Sequence, residues 1–429
     1  MKGEFVLNRK FALTMVAMMA TVAIAACSEQ LDAGKSCPLL CPEQEINLRD
    51  TLIDAIASDT TVLGIPPIGS ETFLMLSSHG DTVQTRSIIR FDTIAGNFTA
   101  GNGTDSLISH IDTAQLVLPI EKPDSLHRSR GPITLEAYNV DTTASDTAVA
   151  AFAPLFRPSR LLGAKTFAPE SLLDTLRIPI SPDSVMDRIT NGTHLRIGLR
   201  LVSAQGYDVR IGTSLNGNPA TLRLKVSTDT AVKPIVVQPI SNTPPNVPFV
   251  SGPLRDYTIV LQGNTGTPVT QLAVGGLPSR RTLFRFNIPN RILDSTTIVR
   301  ATLLLTQTPN RKVNSSDSVW VFPVAILSSP VVSDASTVLR FVSGGGFLGL
   351  DSLRLAPGDS GVRNFQIVGL VRTWHNTTEE ISPNAIGMLS GSEAQLPAEI
   401  DFFSMEAPAA VRPRLRITFV PQTNIGLPR

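Results

Sequence analysis

Residues 194–201 read His-Leu-Arg-Ile-Gly-Leu-Arg-Leu. Side chains of a strand alternate between its two faces. Leu195, Ile197, Leu199 and Leu201 therefore share one face, and His194, Arg196, Gly198 and Arg200 share the other. Thr221–Ser227 repeats the pattern, with Leu222, Leu224 and Val226 opposite Arg223 and Lys225. So does the C-terminal stretch, where Leu415, Ile417 and Phe419 oppose Arg414, Arg416 and Thr418. One apolar and one polar face means strands that cover a core on one side only, the arrangement of an antiparallel β-sandwich. The reading predicts an all-β protein whose arginine-bearing faces meet water.

Composition agrees. The 429 residues suffice for about two to three domains at ~150 residues each. A hydrophobic share of 42% with 17% charged residues is that of a chain that buries cores. There are 37 Lys and Arg against 36 Asp and Glu, so no basic field exists to hold nucleic acid. The 32 Pro and 30 Gly suit many short strands joined by turns, while 2 Trp, 3 Tyr and 5 His leave few residues for catalysis or sugar stacking.

The beginning of the chain reads as an export signal. Lys2, Arg9 and Lys10 precede an uncharged run from Phe11 to Ala26, which is shorter than the ~20 apolar residues that span a bilayer. Ile24-Ala25-Ala26-Cys27 resembles the bacterial lipobox, an apolar residue and two small ones before a cysteine. The resemblance implies cleavage before Cys27, so that residues 1–26 are a lipoprotein signal peptide, and a diacylglycerol on its thiol. The partner is then membrane lipid, and the destination an exported, lipid-anchored place in the bacterial cell envelope. Ser28 follows the cysteine in place of the Asp associated with inner-membrane retention, which points to the outer membrane. An ordinary secretory signal next to a cysteine and an uncleaved anchor helix are the competing readings. Cys37 and Cys41, spaced C-x3-C, are candidates for a small disulfide loop in an oxidising compartment.

Residues 27–58 are expected to form a lipidated tether, with a short helix over 45–57 where Ile46, Leu52, Ile53 and Ile56 approach helical spacing. A first sandwich is expected over 59–230, a Pro-rich linker over 231–253, a second sandwich over 254–422 and a tail over 423–429. The two halves echo each other in the same order and at nearly constant spacing. Thr72–Met75 matches Thr258–Leu261, and Ile88–Asp92 matches Leu283–Asn287. Ala114–Leu118 matches Ala301–Leu305, Arg196–Leu199 matches Ala385–Met388, and Leu222–Leu224 matches Leu415–Ile417. Such repetition predicts two tandem copies of one sandwich.

These residues resemble bacterial DNRLRE-type domains, jelly-roll-like sandwiches related to a carbohydrate-binding module. That family's pattern runs "LLRFDL", "ATLRLY", an apolar pair with Trp, "GLLL" and "PRLTVTY". Leu283–Asn287, Ala301–Leu305, then Ile367, Leu370, Val371 and Trp374, then Asn384–Gly387 and Pro413–Ile417 take those places in order. The first half keeps the opening and closing strands but has Met186 and Ile189 where the Trp would fall. The resemblance implies a tandem jelly-roll fold and a role as a binding module, spacer or surface-layer part.

Chemistry-bearing motifs are sparse. His79, His110, His127, His194 and His375 fall in no metal-ligand or triad spacing. Gly358-Asp359-Ser360-Gly361 is similar to a protease nucleophile loop, without the rest of that pattern. No cofactor is expected. Asp141, Asp146 and Asp183 are scattered carboxylates, and a structural calcium ion in a sandwich loop is the one metal they would suit. Trp320, Tyr138 and Tyr207 are the aromatic candidates for stacking on sugar, although Trp320 alternates like a core residue and Trp374 is spaced as one. An acidic glycan would instead need arginine forks, and Arg196, Arg200, Arg414 and Arg416 line polar strand faces. The expected function is a non-catalytic envelope lipoprotein with a structural or adhesive role, facing other envelope proteins. The alternatives are polysaccharide binding through that arginine face with Trp320, and an accessory to a polysaccharide-active enzyme.

Overall fold

The computed structural model describes residues 48–421 except 65–67, 70, 102, 124–126, 147, 229–230, 243–253, 264–265, 311–316, 327–350, 375–383, 392 and 394–395. Cys27 with Ile24, Ala25 and Ala26, the Cys37/Cys41 pair and His375 lie outside these residues.

The chain enters through two strands, β1 (Arg49–Ile53) and β2 (Ile56–Leu63). Next come β3 (Phe73–His79), β4 (Val83–Phe91), a short hairpin of β5 (Asn97–Thr99) and β6 (Asp105–Leu107), then β7 (Thr113–Pro119) and β8 (Ile133–Asn139). They are followed by β9 (Leu161–Phe167), β10 (Thr175–Ile180), β11 (Leu195–Ser203), β12 (Tyr207–Gly212), β13 (Thr221–Lys225), β14 (Ile235–Val237) and β15 (Asp256–Gln262). The remainder comprises β16 (Gln271–Gly275), β17 (Arg280–Phe286), β18 (Thr296–Thr308), β19 (Val319–Ile326), β20 (Leu353–Leu355), β21 (Gly361–Gln366), β22 (Ala385–Ser390), β23 (Glu399–Phe403) and β24 (Arg414–Pro421). Among the described strand ladders every pairing is antiparallel, as the alternation requires.

The first sandwich stacks a four-stranded sheet, β10-β7-β13-β14, on a seven-stranded one, β12-β3-β4-β11-β8-β9 with β15 added along β4. Between them lie Leu116, Leu118, Ile178, Leu222 and Leu224 from one sheet and Leu74, Ile89, Leu135, Ile197 and Leu199 from the other. Each such buried side chain stabilises the fold by about 1.5–3 kcal/mol. The second sandwich is one continuous eleven-stranded sheet folded over on itself, because the long β18 pairs with β24 and β21 and reaches β23 at Gln307 and Thr308. Leu303, Leu415 and Ile417 face Val274, Phe284, Met388 and Phe402 across its core.

The two sandwiches repeat strand for strand. The order β10-β7-β13-β14 recurs as β21-β18-β24-β1, and β12-β3-β4-β11-β8-β9 recurs as β23-β16-β17-β22-β19-β20. Registers match as well. Gly198 sits opposite Ile88 and Gly387 opposite Leu283, while Leu116 faces Leu222 and Leu303 faces Leu415. Four of the five sequence echoes thus occupy equivalent places. The fifth is corrected. Thr72–Met75 leads into β3, whose counterpart is β16, whereas Thr258–Leu261 lies in β15, whose counterpart is β2. Thr258 faces Ser87 and accepts from the Met75 N–H at 3.0 Å, and Thr61 faces Thr282 and accepts from the Ala273 N–H at 3.1 Å. Both echoing segments flank β4, which is why their apolar patterns look alike.

The equivalence of β1 and β2 with β14 and β15 overturns the expected boundaries. β14 and β15 follow β13 in the chain and complete the first sandwich, so Ile235–Val237 of the segment expected as a linker form a strand, residues 243–253 of it lie outside the described residues, and β15 does not belong to the second sandwich. Ile240 further ties residues beyond β14 to β4, through its N–H to the Arg90 carbonyl (2.8 Å). The strands that complete the second sandwich come from the opposite end of the chain. β1 pairs with β24, Arg49 opposite Phe419 and Ile53 opposite Leu415, and β2 pairs with β17. The expected tether and helix over 45–57 therefore give way to strands from Arg49. Two edge ladders await these residues, and tertiary pairing overrides the weak helical spacing. By its contacts Arg49–Arg429 is one compact unit.

The helix Pro182–Asn191 precedes β11 and the helix Val368–Thr373 precedes β22, again equivalent positions. Ser181 caps the first, accepting from the Ser184 N–H at 3.3 Å, and Gly192 ends it at φ 60°, a left-handed conformation that suits Gly. Trp374 follows the second, 5% exposed, with its ring 5.2 Å from that of Phe286. It is core, as its spacing indicates.

Candidate functional site

The outer face of the first sandwich is where the solvated-arginine expectation fails. Arg196 is 7% exposed. Residues 141–160 fold back across β4, β11 and β15, and Val140, Phe152, Leu254, Tyr257 and Ile259 close a small apolar cluster there. Beneath it Arg90 donates to Asp92 through Nε (3.3 Å) and Nη2 (2.7 Å), and through Nη1 to Asp146 (3.1 Å). Arg196 lies 3.6 Å from the other Asp146 oxygen, which accepts from the Tyr257 hydroxyl at 2.6 Å. Burial, then the Asp146 charge, pushes the Tyr257 phenol well above its ordinary value. Removal of charged groups from water is tolerated because each finds a charged partner.

The other arginines are also engaged. Arg200 lies 3.7 Å from Glu136, Arg414 lies 3.7 Å from Asp54, and Arg416 donates to Asp50 at 3.0 Å. Arg196 and Arg200 stand on β11, and Arg414 and Arg416 stand on β24 of the other sandwich, so no common arginine face forms. Tyr138 is buried and its hydroxyl donates to Glu136 at 2.7 Å. Trp320 departs from its core-like alternation. Val319 and Val321 point inward while Trp320 is 52% exposed, opposite Arg354 of β20. Among the described residues no group of three or more His, Cys, Asp or Glu side chains is placed to hold a metal ion.

A polar cleft of about 530 Å³ opens between the sandwiches. β12 supplies Asp208 and Arg210 from the face opposite its core-packed Val209 and Ile211. The first sandwich adds Glu121 and His127, and the second adds Asp317, Ser318 and Arg354. At the neighbouring β3 end His79 Nε2 hydrogen-bonds Asp208 at 2.9 Å. That bond, reinforced by the charges of Asp208 and Asp317, raises the imidazole above its ordinary value against the opposing effect of burial. Gly206 makes the approach feasible: it has φ 68°, and a Cβ there would lie 2.8 Å from His79 Nδ1. His127 pairs with Asp317 across the cleft, and Arg210 pairs with Glu121 and lies 4.3 Å from the centre of the Phe73 ring. Ser318 accepts from Arg354 Nε at 2.7 Å. The cleft thus gathers ion-pairing and proton-exchanging groups of both signs, chiefly engaged with one another. Tyr207, an expected stacking residue, lines its wall with its phenol pushed up to about 12 by burial. Asp208, Arg210, Asp317 and Arg354 were not among the sequence candidates. Asp208 and Arg210 signal themselves only as charges at alternate positions of β12, Asp317 lies just before β19 and Arg354 on β20, and all four meet partners distant in the chain.

No family model matches the chain, and no curated protein matches it in sequence. Among solved structures it is similar to the infectious bursal disease virus particle, at 10% identity over 88% of this chain and 74% of that one, with a TM-score of 0.13. The Gt strain of the same virus gives 10% identity over 89% and 78%, with a TM-score of 0.13. A structure of manganese lipoxygenase of Gaeumannomyces graminis with partial zonadhesin of Komagataella pastoris gives 11% over 83% and 84%, with a TM-score of 0.12. Scores of this size do not mark a shared fold.

Proposed function

We propose that the protein is a non-catalytic structural module of a bacterial cell envelope, anchored by lipid on Cys27 and carrying a duplicated sandwich of the DNRLRE type. The observation that carries this reading is the internal commitment of its charged side chains. The arginines that a ligand face would need are engaged by Asp146, Glu136, Asp54 and Asp50. His127 and Asp317 join the two sandwiches across the cleft. A body of this kind favours a fixed shape over exchange with a ligand. The anchoring half of the proposal is tested by mass analysis of the N-terminal peptide from exported protein. A diacylglyceryl adduct on Cys27 is expected, and an unmodified thiol refutes anchoring. Protease shaving of intact cells then reports which side of the envelope the body faces.

One observation favours a second reading, polysaccharide binding. Trp320 is exposed and sits opposite Arg354, which lines the cleft beside Tyr207. A ring and a cation at a cleft mouth suit an acidic sugar. Glycan-array binding lost in Trp320→Ala and Arg354→Ala would move the assignment to this reading; no binding above background leaves the structural role.

A further inference from the structure

We propose that the β1–β2 pair is an exchangeable clasp, able to complete the second sandwich of another copy of this chain and so link copies head to tail. The inference goes beyond envelope anchoring and does not depend on it. It starts from the strand equivalence: β1 and β2 are the closing strands of the second sandwich, yet the chain joins them to the first. The same groove, formed by the edges of β24 and β17 that β1 and β2 cover, accepts the identical segment whether it comes from its own chain or from a neighbour.

The clasp is held mainly by its backbone. Across 49–63 only Ala55 and Ile56 are fully buried, at 2% and 5% exposure. Leu52 and Leu63 stand 47% and 57% exposed, and β2 borders an open cavity of about 560 Å³. Strand addition of this kind draws its affinity from main-chain hydrogen bonds with a few side-chain anchors, here Ala55, Ile56 and the partly buried Ile53, together with exposed pairs from Asp50 and Asp54 to Arg416 and Arg414. The connection to β3, from Gly64 to Thr72, is nine residues long. A donor on one end and an acceptor on the other make a heterologous contact, which propagates as an open chain. Closure within one chain has an effective concentration of order millimolar, so exchange is favoured where copies fold together at high density.

The test uses the full chain with Cys27→Ser, Cys37→Ser and Cys41→Ser, so that introduced thiols are alone. Leu52 and Arg416 lie directly opposite and exposed. One preparation carries Leu52→Cys and another Arg416→Cys. The two are refolded together from denaturant at high concentration, oxidised and run on a non-reducing gel. The expected result is a covalent dimer at about tenfold the yield given by Val202→Cys with Arg416→Cys, a pair that links only on random collision. A chain carrying both Leu52→Cys and Arg416→Cys should link within itself when dilute and form a ladder when concentrated. Equal yields for test and control pairs, or a double variant that links only within single chains at every concentration, overturns the proposal.

Discussion

β15 and β2 occupy the same place in two copies of one fold, and they are held there differently. β15 is buried along Asp256–Ile259, with Tyr257 fully enclosed, because residues 141–160 lie over it. β2 has the same register against its own sheet, down to the equivalent Thr258 and Thr61 hydroxyl acceptors, but its outer face is largely open and only its first residue, Ile56, is fully buried. The ladder thus sets where a closing strand lies, and the covering segment sets how firmly. In the first sandwich the cover brings an ionic network and apolar area. In the second the strand relies on backbone pairing, and its residues belong to the low end of local stability.

The sharpest test of that contrast removes what β15 buries. Tyr257→Ala should cost about 3–5 kcal/mol, while the equivalent Thr60→Ala should stay within about 0.5 kcal/mol. Asp146→Ala belongs with the large effects, at about 3–5 kcal/mol, because it strips a partner from Arg90 and Arg196, both nearly inaccessible to water. Urea denaturation followed by circular dichroism measures both. Comparable losses at Tyr257 and Thr60 would break the comparison. Ile56→Ala is next, at about 2–4 kcal/mol, since it deletes the anchor of the clasp. Both tryptophans, Trp320 and Trp374, lie in the second sandwich, so their fluorescence reports that half alone. The Ile56 loss should appear there first, and an unchanged fluorescence midpoint would show that β2 contributes nothing to the second core.

The same contrast explains what was legible in the sequence. β11 was legible because each of Leu195, Ile197, Leu199 and Leu201 is buried at 1% or less in the expected core. The register echoes were legible because core positions repeat. β1 and β2 were not, since an edge strand with exposed faces carries almost no apolar alternation, and its partners lie more than 200 residues away at Phe286 and Phe419. The burial of Arg196 was hidden for a related reason: alternation reveals which side of a strand faces the first core, and says nothing of a segment that later covers the other side. The cleft was illegible because Asp208 and Asp317 come from different sandwiches and carry no local spacing. Arg196 is on the face of β11 opposite the core, and there that face is covered, whereas Arg416 on β24 stays exposed.

Acidity offers the most selective effect. Glu71, close to β15 and accepting from the Gly69 N–H, is pushed up to about 7 chiefly by burial. Asp59 of β2, half-buried and accepting from the Met405 N–H at 2.8 Å, is pushed up to about 6, again chiefly by burial. A carboxyl raised in the folded state binds its proton more tightly there than when unfolded. Its contribution is therefore fully present below the unfolded value, near 3.8 for Asp59 and 4.5 for Glu71, and is lost as pH rises through the folded one. The Asp59 loss should be complete just above pH 6 and the Glu71 loss just above pH 7. Asp59→Asn should flatten the fluorescence midpoint between about pH 4 and 6 without altering the slope attributable to Glu71, and Glu71→Gln should do the converse by circular dichroism. If Asp59→Asn leaves the fluorescence profile unchanged, its carboxyl is as well solvated in the folded state as in the unfolded one, and β2 is more open than its pairing with β17 implies.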